Sequence, residues 1–94
     1  MLLCSDIGYH LGDVEAVTEG SIVERARAAL AHDQETPLSE SFPNCTLTEP
    51  TMERLAELKP RTLALMHGST YVGDGATELR GLGAAVGETV GKPT

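Results

Sequence analysis

Two residues have the types and positions that chemistry at a strand edge requires. Asp6 closes the apolar run Met1-Leu2-Leu3-Cys4-Ser5, and His67 closes Leu63-Ala64-Leu65-Met66. Each run is short and apolar enough for a buried strand. In α/β proteins the carboxyl ends of strands are where side chains meet ligands. A carboxylate with a neutral imidazole suits zinc, manganese or iron. If the two strands are neighbours, both side chains emerge at one edge. Two ligands do not make a site, since stable zinc binding takes three or four; the pair reads as part of something larger. Asp6 also has a plainer reading, because an Asp after a strand is commonly a turn former or cap. His10 and Asp13 lie three apart in the next loop. They could approach a metal or simply be solvated, and His10 is the one nearby candidate for a replacement ligand. Tyr9 could line a pocket mouth or cover the core. His32 falls at a helix end, where it faces the dipole.

Other chemistries fail on their own residues. Gly68 and Gly73 have P-loop spacing, but Asp74 and Gly75 stand where Lys and Ser/Thr are needed, so nothing reaches a phosphate and Asp74 repels it. Gly73-x-Gly75 begins a dinucleotide fingerprint, but Glu78 occupies the third glycine position. No G-x-S-x-G elbow surrounds Ser69, so it is not a lipase-type nucleophile. Cys4 and Cys45 form no C-x-x-C pair, which excludes a zinc ribbon. A disulfide stays open, with buried free thiols in a cytoplasmic protein as the main expectation.

The elements that must position Asp6 and His67 follow from periodicity. A strand over 1–6 leads into a glycine-punctuated loop over 7–20. Ser21 and Glu24 form a capping box for a helix over 21–32, with Ile22, Ala26, Ala29 and Leu30 on one face. A polar connection over 33–47 carries Pro37 and Pro43, with Leu38 and Phe42 as possible pins to the core. A second helix spans 48–59, with Thr48 as N-cap, Pro50 in the first turn and a staple between Leu47 and Met52. Pro60 stops it and forces Lys59 from helical angles. A strand over 63–66 ends at His67 and a polar glycine-rich turn. A third helix over 75–88 carries Ala76, Leu79, Leu82 and Val86 on one stripe. Gly81, Gly83 and Gly87 each cost about 1 kcal/mol relative to Ala, which suggests close packing.

The chain has 94 residues, 40% of them hydrophobic, which suffices for one small aliphatic domain. A net charge of -7 argues against nucleic acid and anionic membrane surfaces. No run is long enough to span a membrane, and no basic n-region followed by an apolar segment is present, so no signal peptide is expected.

The order Leu-Leu-Cys-Ser-Asp6, glycine-rich loop, helices, then Leu-Lys-Pro-Arg-Thr-Leu-Ala-Leu-Met-His67-Gly-Ser and a final helix resembles the C-terminal part of the metallo-β-lactamase superfamily. It is most similar to the branch with flavodiiron-type oxidoreductases and related hydrolases. The resemblance covers residues 1 to about 88. It implies that Asp6 matches the carboxylate bridging two metals and His67 the last histidine ligand. It also implies zinc or iron in the complete fold, where two cations lower the pKa of the water between them. The family's H-x-H-x-D-H motif and middle histidine are absent; the chain has only His10, His32 and His67. The resemblance thus implies an α/β fold equal to the C-terminal half of an αββα sandwich, a small sheet with about three helices. Metal binding by this chain alone should be weak or absent. A half-sandwich leaves one sheet face bare, so a homodimer or a separate N-terminal half is the expected partner, with Leu2, Leu65 or their neighbours at the contact. The alternative function is a non-catalytic assembly module.

Overall fold

The computed structural model describes residues 1–35 and 44–90. Leu38, Phe42 and the two prolines of the expected connection, Pro37 and Pro43, lie outside the described residues, as does the tail 91–94. The fold is α/β. In chain order the elements are β1 (Leu2–Ser5), β2 (Val17–Thr18), α1 (Val23–Gln34), α2 (Thr48–Ala56), β3 (Thr62–Leu65), β4 (Thr70–Val72) and α3 (Gly75–Val90). The strands form one mixed sheet in the order β1-β3-β4-β2. β1 runs parallel to β3, β3 antiparallel to β4, and β4 parallel to β2.

The sheet sorts its side chains by face, as the alternation of a strand requires. Leu2, Cys4, Leu63, Leu65 and Tyr71 pack with Ile22 and Ala26, with Met52 and Ala56 of α2, and with Ala76, Leu79 and Leu82 of α3. Opposite them, Leu3 pairs with Ala64 and Val17 with Thr70. Extending the β3–β4 register by one residue sets Ala64 beside Thr70, so these four form one row across the sheet. Leu3 is 78% exposed and Val17 57%. No described element covers this face, and no described strand residue carries a charge.

The helices hold together through α3. A Cβ on Gly81 would meet Val23 Cγ2 at 2.8 Å, and one on Gly83 would meet Met52 Cβ at 3.3 Å. These two glycines therefore let α1 and α2 approach α3. Gly87 has nothing within 4 Å and plays no such part.

Five local expectations need correction. The Ser21–Glu24 capping box does not form: Ile22 occupies the N-cap position without a side-chain cap, and Glu24 pairs with Arg27. Glu78 of α3 takes its place, accepting the Ser21 hydroxyl and the Ile22 amide at 2.8 Å each. The physical reason is burial. Ile22 is fully buried, and an amide there needs an internal acceptor. Thr48 is the first helical residue rather than the cap, and its hydroxyl accepts the Cys45 amide at 3.1 Å. Leu47 is 68% exposed and does not join Met52 in the core. The stretches expected as loop and polar turn contain β2 and β4, which are too short to show a period. α2 ends at Ala56, before the expected Lys59, and Lys59, which precedes Pro60, lies off helical angles at φ 51°.

Candidate functional site at the carboxyl ends of β1 and β3

Parallel pairing puts the carboxyl ends of β1 and β3 at one edge of the sheet. Ser5 pairs with Leu65 after a register irregularity, and the Met66 amide donates to the Ser5 carbonyl at 3.1 Å. Asp6 and His67 come next on their respective strands. Both are exposed. Their neighbourhood at this edge follows from the topology.

The turn after Asp6 is tightly wound. The Ile7 amide donates to Cys4 O and the Tyr9 amide to Asp6 O, at 2.9 and 3.2 Å. Ser5 at φ 52° and Gly8 at φ 77° give the left-handed bends. The turn is then tied to the one after His67. The His10 amide donates to the His67 carbonyl at 3.0 Å. The His10 ring lies 3.1 Å from Gly8 O through Nδ1 and accepts the Ser69 amide on Nε2 at 2.9 Å. His10 is 3% exposed. It is a core histidine with both ring nitrogens engaged, and so neither a solvated loop residue nor a spare ligand.

Ser69, which the sequence marked only as lacking a lipase-type elbow, takes part in a buried network. Its fully buried hydroxyl donates to Glu15, whose carboxylate lies 2.8 Å away. It also accepts from Arg25 Nη1 at 3.1 Å. Arg25 in turn pairs with Glu15. The guanidinium of Arg25, and then the Ser69 hydroxyl, hold the Glu15 carboxyl below its usual range. Because Nε2 of His10 receives the Ser69 amide rather than its hydroxyl, the pair is not a nucleophile and its base. Tyr9 lines a small pocket beside Ala26, Leu30, Met52 and Leu82 of the core. Its hydroxyl donates to Asp33 of α1, and burial followed by that carboxylate raises its pKa.

The remaining candidates fall elsewhere. His32 is exposed in the last turn of α1, and Asp13 is exposed in the loop before β2. Cys4 is buried, with its thiol pushed up by desolvation, whereas Cys45 is exposed, against the expectation that both are buried. Asp74 accepts the amide and hydroxyl of Thr77, at 3.2 and 2.7 Å, in the first turn of α3.

Asp and His are suitable donors for zinc or iron, but among the described residues no three His, Cys, Asp or Glu side chains gather into a metal-holding group. The donor types fit the implied metal and their number does not. Comparison with protein families, characterised proteins and solved structures found no match. No described helix is long and apolar enough to cross a membrane.

Proposed function

We propose that this chain is the C-terminal segment of a metallo-β-lactamase-fold metallohydrolase, carrying part of its metal site and inactive alone. Asp6 and His67 are its ligands, completed by side chains from another chain or segment. The observation that supports this is their place after neighbouring parallel strands, at one sheet edge, on turns that leave both exposed. No reaction step is assigned to this chain, because two donors leave an ion largely hydrated. The test is a manganese(II) titration of the ¹⁵N-labelled chain, read by amide line broadening. Broadening should begin at Asp6 and His67 and weaken in Asp6→Asn. Broadening that starts at Glu49, Glu53 and Glu88 instead would overturn the assignment. Stoichiometric zinc that survives dialysis, measured by elemental analysis, would contradict a partial site.

A second reading, a non-catalytic assembly module, has its own support in the uncharged, uncovered sheet face with Leu3 and Val17 exposed. Leu2 and Leu65 turn to the helices, so a contact through this face would use Leu3, Ala64 and Val17. Light scattering at micromolar concentration tests it, and a monodisperse monomer without a partner would count against it.

A further inference from the structure

We propose that His10 is a positioning residue that sets the spacing between the strand ends bearing Asp6 and His67, and is not itself a ligand. This rests on reading that edge as part of a metal centre. The bonding of the ring decides its role. A backbone amide only donates, so Nε2 of His10 must accept from Ser69 and carries no proton. The ring proton therefore sits on Nδ1 and goes to the Gly8 carbonyl. The one lone pair that could reach a metal is already taken.

What the ring joins gives the role its content. Gly8 lies two residues after Asp6, and Ser69 lies two after His67. The His10 amide adds a third tie, to the His67 carbonyl at 3.0 Å. The ring also lies against Gly68, where an added Cβ would come within 2.5 Å of His10 Cε1 at a backbone φ of +124°. Only glycine lets the chain after His67 pass this close. The clamp is anchored in turn, since the Ser69 hydroxyl is bound by Arg25 of α1 and by Glu15. Strand pairing resumes after the register shift between Leu3 and Ser5 and reaches only to the bond from the Met66 amide to the Ser5 carbonyl, just before the two candidate ligands. His10 supplies the connection beyond that last ladder bond, between the turns that follow Asp6 and His67. A ligand pair on separate strands needs such support, and residues that orient ligands from behind shift metal affinity about 10–100-fold.

The experiment compares the ¹⁵N-labelled wild-type chain with His10→Ala and His10→Gln, whose side-chain oxygen can accept the Ser69 amide. Hydrogen exchange at Ser69 reads the clamp without metal. It should be about tenfold faster in His10→Ala, the scale of one lost hydrogen bond, and recover in His10→Gln. Manganese(II) broadening reads the consequence. The concentration that broadens Asp6 and His67 should rise about tenfold in His10→Ala and return towards wild type in His10→Gln. Equal Ser69 exchange in wild type and folded His10→Ala would overturn the clamp. Faster exchange with an unchanged manganese midpoint would overturn its positioning role. If manganese broadens neither residue in the wild type, the metal reading and the positioning role fail together, while Ser69 exchange still decides whether the clamp exists. Should His10→Ala not fold, Gly68→Ala displaces the ring while keeping it, and the same exchange and midpoint criteria apply.

Discussion

The two faces of this sheet are made of similar residues and have different fates. On the helix side, Leu63 and Cys4 are at most 3% exposed, while on the other side Leu3 is 78% exposed, although Leu3 and Cys4 are adjacent in β1. Strand alternation alone separates them. The lesson is that apolar content in a strand does not say which partner covers it. The helix-side residues hold this chain together. The outer row Leu3, Ala64, Thr70 and Val17 contributes nothing to that core, and its lack of charge makes it the face on which another layer could sit.

The comparison breaks most sharply by truncating one leucine on each face. Leu63→Ala should cost about 2–5 kcal/mol, since it removes a fully buried side chain from the centre of the core. Leu3→Ala should change monomer stability by no more than about 0.5 kcal/mol. Urea denaturation of both variants measures the difference. Equal losses would mean that the outer face is covered within the monomer.

A smaller effect tests the helix side through its polar fastening. Glu78→Ala leaves the Ser21 hydroxyl and the buried Ile22 amide without their acceptor. The expected loss is about 1–3 kcal/mol. Glu24→Ala, at the position of the unformed capping box, should lose much less. Thermal unfolding of the two variants decides which carboxylate serves the start of α1.

The outer face is probed by charge. Leu3→Asp with Val17→Asp should leave the unfolding midpoint nearly unchanged. If that face is a contact, the double variant also sediments as a smaller species than wild type at micromolar concentration. Identical sedimentation of the two proteins would remove the face from the assembly reading.

The smallest expected effect is in acid. Bidentate pairing with Arg80 lowers the pKa of Glu53, and Arg25 lowers that of Glu15. A folded-state pKa below the unfolded one stabilises the fold above the ordinary carboxylate range, and that gain is lost as pH falls through the depressed value. The melting temperature should therefore drop as pH is lowered from about 5 towards 3, and less so in Glu53→Gln. Both carboxylates are exposed, so the difference is small and shrinks with added salt. A steeper acid loss in Glu53→Gln than in wild type would reverse the sign.

Much of the scaffold was legible because its signals are local. Apolar runs marked β1 and β3, helical spacing marked α1 and α3, and Pro60 set a limit for α2, which stops earlier, at Ala56. Gly81 and Gly83 announced close helix packing by breaking propensity inside a helix, although Gly87 carried the same signal without the contact. The order of Asp6 and His67 at the ends of apolar runs could also be read directly. β2 and β4 could not, since two or three residues hold no period.

The sequence by itself determined that this is a small α/β chain with two candidate ligands after two apolar strands, because periodicity and turn chemistry act between near neighbours. Only the tertiary structure decided that β1 and β3 are parallel neighbours, that all described helices share one face, and that His10 is buried between two turns. It alone replaced Glu24 with Glu78 at the start of α1 and joined Ser69 to Glu15 and Arg25. These are choices between residues as much as 59 positions apart. A single sequence shows which groups need partners, but the path of the folded chain decides which of the available donors and acceptors meet.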